Sequence, residues 1–317
     1  MKRRLITTAV GLVLFFGAFA QEKVVSIKYG DMDHWVTRKI HESGIIGGNT
    51  KLLYELGPTQ VIDGNEAYTN KGGSPWANSN VMAKVVGIVK TNTSVYPEKR
   101  GDGYCAKLET HIEKVKVLGM VNITVLASGS LFLGDMKEPI TGTKDGEKAL
   151  NVGVPFNQRP KAVRFDYKVK MSGLPDRIKQ NGFSRKSVVK GQDCAIMTCV
   201  LQKRHEDSEG NIIAKRIGTA VVRYNKSTDW KNKATYEIHY GDISRTIYYD
   251  AEIMRLGVGD YYARNSKGKS VMIKENGWAA ADETPTHMIL QFTSSLGGAF
   301  IGSPGNTFWV DNVELVY

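Results

Sequence analysis

Asp311 carries the sharpest local constraint in the sequence. Within Phe308 to Tyr317 it shares strand parity with Trp309, Val313, Leu315 and Tyr317, so an extended chain turns its carboxylate toward the core. A buried carboxylate must be hydrogen-bonded or metal-bound; a turn cap, a set of backbone N–H donors or a cation would each satisfy it. The 32 acidic residues are enough to supply the carboxylate pair that glycoside hydrolysis needs, about 5–5.5 Å apart for retention or about 6.5–9.5 Å for inversion. No pair stands out from the rest. Other catalytic signatures are absent: there is no G-x-S-x-G elbow, no H-E-x-x-H and no G-x-x-x-x-G-K. Gly268-Lys269-Ser270 lacks the upstream glycine, and His41-Glu42 and His205-Glu206 lack a second histidine at metal-ligand spacing.

The aromatic residues define a second kind of chemistry. An amphipathic ring-shaped ligand needs a planar aromatic against one face and polar groups around its edge. Of the five tryptophans, Trp76 lies in the polar stretch Ser74-Pro75-Trp76-Ala77-Asn78-Ser79-Asn80, close to the amides of Asn78 and Asn80, and Trp278 follows Asn276-Gly277. Both read as loop tryptophans, open either to a ligand or to packing under their own loop. Trp309 has apolar strand parity and reads as core, while Trp35 and Trp230 stand at element ends and read as core plugs. Arg159, before Pro160, can fork onto a pair of ligand oxygens or tie two loops together.

The elements that must position these residues are strands. Phe165, Tyr167, Val169 and Met171 alternate with Asp166, Lys168 and Lys170; Tyr236, Ile238 and Tyr240 do the same, as do Met288, Leu290 and Phe292. These are half-buried strands, apolar inward and polar outward. Turn residues separate them at Arg100-Gly101-Asp102-Gly103, Lys144-Asp145-Gly146, Ser208-Glu209-Gly210-Asn211 and Ser303-Pro304-Gly305-Asn306. Helical signals are confined to Trp35–Ser43 and Asp250–Leu256. The second lies in 243–283, which reads as an insertion. No linker, repeat or low-complexity tract divides the chain. The expected fold is therefore all-β, a sandwich with few short helices, in one domain over 21–317.

The first twenty residues read differently. Lys2, Arg3 and Arg4 precede an uncharged apolar run from Leu5 to Phe19, and Ala18-Phe19-Ala20 offers a cleavage site before Gln21. That run, about 15 residues, is shorter than the ~20 of a membrane-spanning helix. Residues 1–20 are thus expected to be a signal peptide, with the mature protein periplasmic or extracellular and not stably inserted in a membrane. Loss of the three leader cations lowers the net charge from +11 to about +8, a modest and scattered excess. It lacks the basic stripe with interleaved aromatics of a nucleic-acid protein. Cys105, Cys194 and Cys199 are odd in number. On one strand Cys194 and Cys199 fall on opposite faces and cannot pair with each other. Buried free thiols are expected, although either could meet Cys105.

Several stretches together resemble the PCMD (putative carbohydrate metabolism domain) family of glycan-degrading gut bacteria. They are Trp76-Ala77-Asn78-Ser79-Asn80, Gly103-Tyr104-Cys105-Ala106-Lys107-Leu108-Glu109-Thr110, Ala127 to Gly134, Gly153-Val154-Pro155-Phe156 leading to Arg159-Pro160, Phe165-Asp166-Tyr167-Lys168, Thr293-Ser294-Ser295, Gly302, and Val310-Asp311-Asn312-Val313-Glu314-Leu315. Their order and spacing carry the likeness, from about Asp33 to Tyr317. No immunoglobulin-like domain is expected ahead of the core, which would depart from many relatives. The resemblance implies a jelly-roll β-sandwich, galactose-binding-like and similar to carbohydrate-binding modules, and no settled activity. Modules of this type often hold a structural Ca²⁺ between an aspartate in the position of Asp311 and an acidic residue near the first strand, here Asp33. The expected partner is an oligo- or polysaccharide. The expected function is glycan binding or handling without catalysis, through Trp76, Asn78, Asn80, Arg159 and Trp278. A glycoside hydrolase or lyase and a cell-surface structural or adhesion protein are the alternatives.

Overall fold

The computed structural model describes residues 22–85, 87–117, 121–142, 146–182, 185–298 and 300–317. The expected signal peptide, 1–20, lies outside the described residues. The chain is an all-β sandwich of two principal sheets. The smaller sheet runs in the order Thr228–Glu237, Ala162–Lys170, Thr307–Val316, Gly103–Glu109, Val95–Arg100, with Val24–Ser26 pairing to Thr307–Val316. The larger sheet runs Leu150–Val152, Ser130–Met136, His287–Thr293, Ala195–Glu206, Ile212–Tyr224, His239–Tyr240. Trp76–Asn78, Val154–Pro155 and the parallel strand Lys274–Trp278 attach to it.

The core lies between the two sheets. From the first come Val163, Phe165, Val169, Phe308 and Val310; from the second Met197, Cys199, Leu201, Leu290 and Phe292. Phe165 meets Phe292 edge to face at 5.0 Å between centroids, the arrangement that aromatic quadrupoles prefer. The alternation expected for Phe165–Met171, Tyr236–Tyr240 and Met288–Phe292 is the inward face of this core. Cys199 packs in it and Cys194 packs in a separate cluster with Ile253 and Met254. All three cysteines are buried and unbridged.

Two local readings change. Trp35–His41 is a strand, not a helix, paired with Thr50–Leu56 and Gln60–Asp63. After the buried Trp35, its buried residues Val36, Arg38 and Ile40 follow period two, and Arg38 tolerates burial because Glu55 and Glu138 pair with it. In Thr307–Val316, Phe308, Val310, Val313 and Leu315 face the core. The parity slips at Asn312, whose φ is 51°, and the pairing with Ala162–Lys170 shifts register between Arg164 and Asp166. This bulge absorbs one residue. It turns Asp311 and Trp309 to the outer face of the sheet; both are buried as expected, but not in the core between the sheets. The Asp250–Leu256 signal is the helix Ala251–Met254, capped by the Asp250 side chain accepting from the Glu252 N–H at 3.1 Å.

Candidate functional site

Asp311 is buried on that outer face, and a guanidinium already meets it. Arg100 Nη1 donates to Asp311 and, at 2.8 Å, to Asp166, the residue directly opposite on the neighbouring strand. Its Nη2 donates to Asn232 at 2.7 Å, and the group stacks on Trp230 at 3.9 Å. Burial pushes Asp311 up to about 6 against the pull of Arg100. Burial also acts to raise Asp166, but the Lys233 N–H, Asn312 and Arg100 hold it below the usual carboxylate range. Asp33 is exposed and accepts from the Tyr104 N–H at 2.7 Å. Among the described residues no three His, Cys, Asp or Glu side chains gather as a metal site. A Ca²⁺ shell takes about 6–8 oxygens. The Asp311 position therefore does not fit the cation: Arg100 already supplies the positive charge there.

The residues expected to hold a sugar are separated and mostly structural. Trp76 starts a buried strand and is 1% exposed, so it offers no ring face to a ligand; its Nε1 donates to the Lys28 carbonyl at 2.9 Å. Asn78 and Asn80 are likewise buried. Asn78 Nδ2 donates to Glu55 and the Tyr54 carbonyl. Asn80 Nδ2 donates to the carbonyls of Tyr54 and Val95, and its Oδ1 accepts from the N–H groups of Ser94 and Val95. Local polarity suggested a loop, yet these amides replace backbone partners that the irregular strand lacks. Arg159 ties loops: it donates to the carbonyls of Ala281 and Glu283 and stacks on Tyr240 at 4.3 Å. Trp278 is half-buried at the end of Lys274–Trp278, packed on the Cys194 cluster under the Arg216 guanidinium.

The open cleft lies elsewhere, at one end of the larger sheet. It encloses about 320 Å³ and is lined by Asn151, Gly153, Pro155, Arg204, His205, Glu206, Ile212, Ala263, Arg264 and His287. Five segments converge there. The hairpin of Ala195–Glu206 and Ile212–Tyr224 brings Arg204, His205, Glu206 and Ile212, closed by a turn in which Asp207 accepts from the N–H groups of Glu209 and Asn211. His287 opens the adjacent strand opposite Pro155. Asn151 and Gly153 come from the sheet edge. The 243–283 segment supplies Ala263 and Arg264 in the strand Tyr262–Arg264.

Polar contacts fix each group. Arg204 Nε donates to Gln202 Oε1 at 2.8 Å, and Nη1 and Nη2 both donate to the Val152 carbonyl at 3.1 Å. Gln202 in turn donates to Glu275 at 2.7 Å, whose carboxylate holds the buried Arg216. Burial pushes Arg204 down to about 10, with the Glu275 charge opposing. Burial and then the Arg204 charge push His287 down to about 4, so its imidazole is neutral at pH 7; its Nδ1 shares a 2.9 Å hydrogen bond with Thr286 Oγ1. Glu206 accepts from both the N–H and the hydroxyl of Ser266 at 2.7 Å, which hold it below its ordinary range. Arg264 pairs with Asp135, and Asn151 accepts from its N–H. Ile212 and Ala263 give the cleft an apolar wall amid polar groups, the make-up of a small-ligand site. The local signal for it is Lys203-Arg204-His205-Glu206, four charged or titratable residues closing an apolar strand.

Among the described residues a second buried carboxylate pair invites comparison. Glu55 and Glu138 flank Arg38 through Nη1 at 3.3 and 3.2 Å, beside a cavity of about 10 Å³, room for about one water and none for a sugar. Burial pushes Glu55 up to about 8, with Arg38 opposing and Glu138 adding to the rise.

No curated protein matches the chain. The model of one family, described as "Putative carbohydrate metabolism domain", matches residues 59–316. That span takes in both principal sheets except Val24–Ser26, and every residue of the cleft. The chain belongs to the PCMD family.

Proposed function

We propose that the protein is an exported glycan-binding protein that seats sugar in the Arg204–His287 cleft without cleaving it. One observation carries the reading: in a member of a carbohydrate-metabolism family, a roomy cleft joins an apolar wall to planar polar groups. Guanidinium, imidazole and amide groups suit the edge hydroxyls of a pyranose, and Ile212, Ala263 and Pro155 suit its C–H face. The non-catalytic part is supported by the lining, in which Glu206 is the sole carboxylate; glycoside hydrolysis ordinarily uses two. His205 is exposed and free to act as an edge contact.

Glycan-array binding of wild type beside His205→Ala tests this. Wild type is expected to bind at least one oligosaccharide class, and the variant to bind it about 2- to 10-fold more weakly, the worth of one neutral hydrogen bond. Binding by neither protein to any glycan overturns the reading, and equal binding by both removes His205 from the site. Release of reducing ends from the bound glycan would replace binding by hydrolysis. Export is tested by N-terminal sequencing of the protein from the periplasm or medium, with Gln21 expected as the first residue.

A further inference from the structure

A guanidinium in this cleft lacks a counter-ion. Arg204 spends its three described hydrogen bonds on neutral oxygens, the Gln202 side chain and the Val152 carbonyl. Among the described residues no carboxylate lies within ion-pairing distance of it. The neighbouring acids are engaged elsewhere: Glu275 with Arg216, Asp135 with Arg264, and Glu206 with Ser266. The fully buried arginines, Arg38 and Arg216, each have a carboxylate, whereas the half-buried Arg204 has none. A partly desolvated charge without a counter-ion is unfavourable, and an anionic ligand would relieve it. The backbone beside it is shaped to admit it: a Cβ on Gly153 would sit 2.6 Å from Arg204 Nη2, so only glycine lets the guanidinium lie there.

We propose that the ligand of this cleft is an acidic sugar, whose anionic group completes the charge of Arg204. The proposal rests on the glycan reading of the cleft given above. A guanidinium presents its N–H groups as a planar fork, which matches the oxygens of a uronic-acid carboxylate or a sulfate ester. Neutral His287 alongside adds no competing charge, and Arg264, already paired, adds a second guanidinium at the cleft wall.

The test uses matched glycans on the full mature protein. Calorimetric titration is made with oligogalacturonides and hyaluronan oligosaccharides, each beside its carboxyl-reduced form, and with chondroitin sulfate oligosaccharides beside their desulfated form. At least one acidic member is expected to bind roughly 10- to 100-fold more tightly than its neutralised partner, the worth of a hydrogen bond to a charged group; which pair responds identifies carboxylate or sulfate. Arg204→Gln is expected to erase that preference, bringing the acidic and neutralised forms to equal affinity. Should Arg204→Gln fail to fold, the wild-type ratio and an Arg264→Gln variant carry the test, the latter lowering the acidic preference in part. Equal affinity for acidic and neutralised forms overturns the acidic-sugar inference and leaves glycan binding standing. Binding to no member of either kind, acidic or neutral, overturns both.

Discussion

Replacing Arg100 with alanine should expose how the outer face of the smaller sheet is held. Arg100 is a cation shared by Asp166 and Asp311, which oppose each other across the strand pair. Its side chain is only 20% exposed, and both carboxylates are less exposed still. Removing one member of a buried ion pair costs about 3–5 kcal/mol because the remaining charge stays desolvated; the partial exposure of Arg100 places the loss near about 3 kcal/mol. At roughly 2–4 °C per kcal/mol for a large domain, the melting temperature should fall by about 6–12 °C. The pH dependence separates this cause from lost packing on Trp230. Without Arg100, two facing carboxylates bind protons more readily folded than unfolded, so the variant loses stability as pH rises through about 4 to 7. Urea melts of wild type and variant at pH 4 and pH 7 measure both quantities. A deficit below about 1 kcal/mol at pH 7, or one equal at both pH values, would refute the ion-pair explanation.

Three further outcomes follow from the same contacts. Trp76→Ala should lose about 3–5 kcal/mol, the cost of emptying a buried aromatic site, read as an early denaturant midpoint; near-native stability would place the indole outside the core. Glu55→Gln should flatten a pH dependence: with Glu55 raised to about 8, the folded state holds a proton that the unfolded state releases near pH 4.5, so wild-type stability falls as pH rises between those values. Melts from pH 5 to 9 should converge at the acid end and favour the variant at the basic end. Gly153→Ala should cost about 1–2 kcal/mol through its φ of 92° and its clash with Arg204, and should weaken glycan binding more than His205→Ala does, measured on the same array.

Period-two alternation made parts of the two principal sheets legible where a strand has one wetter and one dry face, whereas Ala195–Glu206 and Ile212–Tyr224 are buried on both faces over much of their length. Phe165, Tyr167 and Val169 illustrate it. Alternation fails where long-range partners override polarity. Arg38 looks like a surface residue until Glu55 and Glu138, far along the chain, neutralise it. Asn78 and Asn80 look like loop amides until they are found replacing backbone partners. A single residue in left-handed geometry, Asn312, reverses the parity that assigned Asp311 and Trp309 to the core. The cleft was the least legible feature. Its residues come from segments up to 136 positions apart, from Asn151 to His287, with no shared spacing. His205-Glu206 was visible only as an incomplete metal motif.

Hydrogen–deuterium exchange of the protein with and without its best array glycan tests the location of the site most directly. If the cleft is the binding site, protection should concentrate in the peptides spanning Asn151–Pro155, Arg204–Ile212, Ala263–Arg264 and Thr286–Met288, and should leave the Trp230 face unchanged. Protection confined to the Arg100–Trp230–Trp309 face, with the cleft amides unaffected, would contradict it.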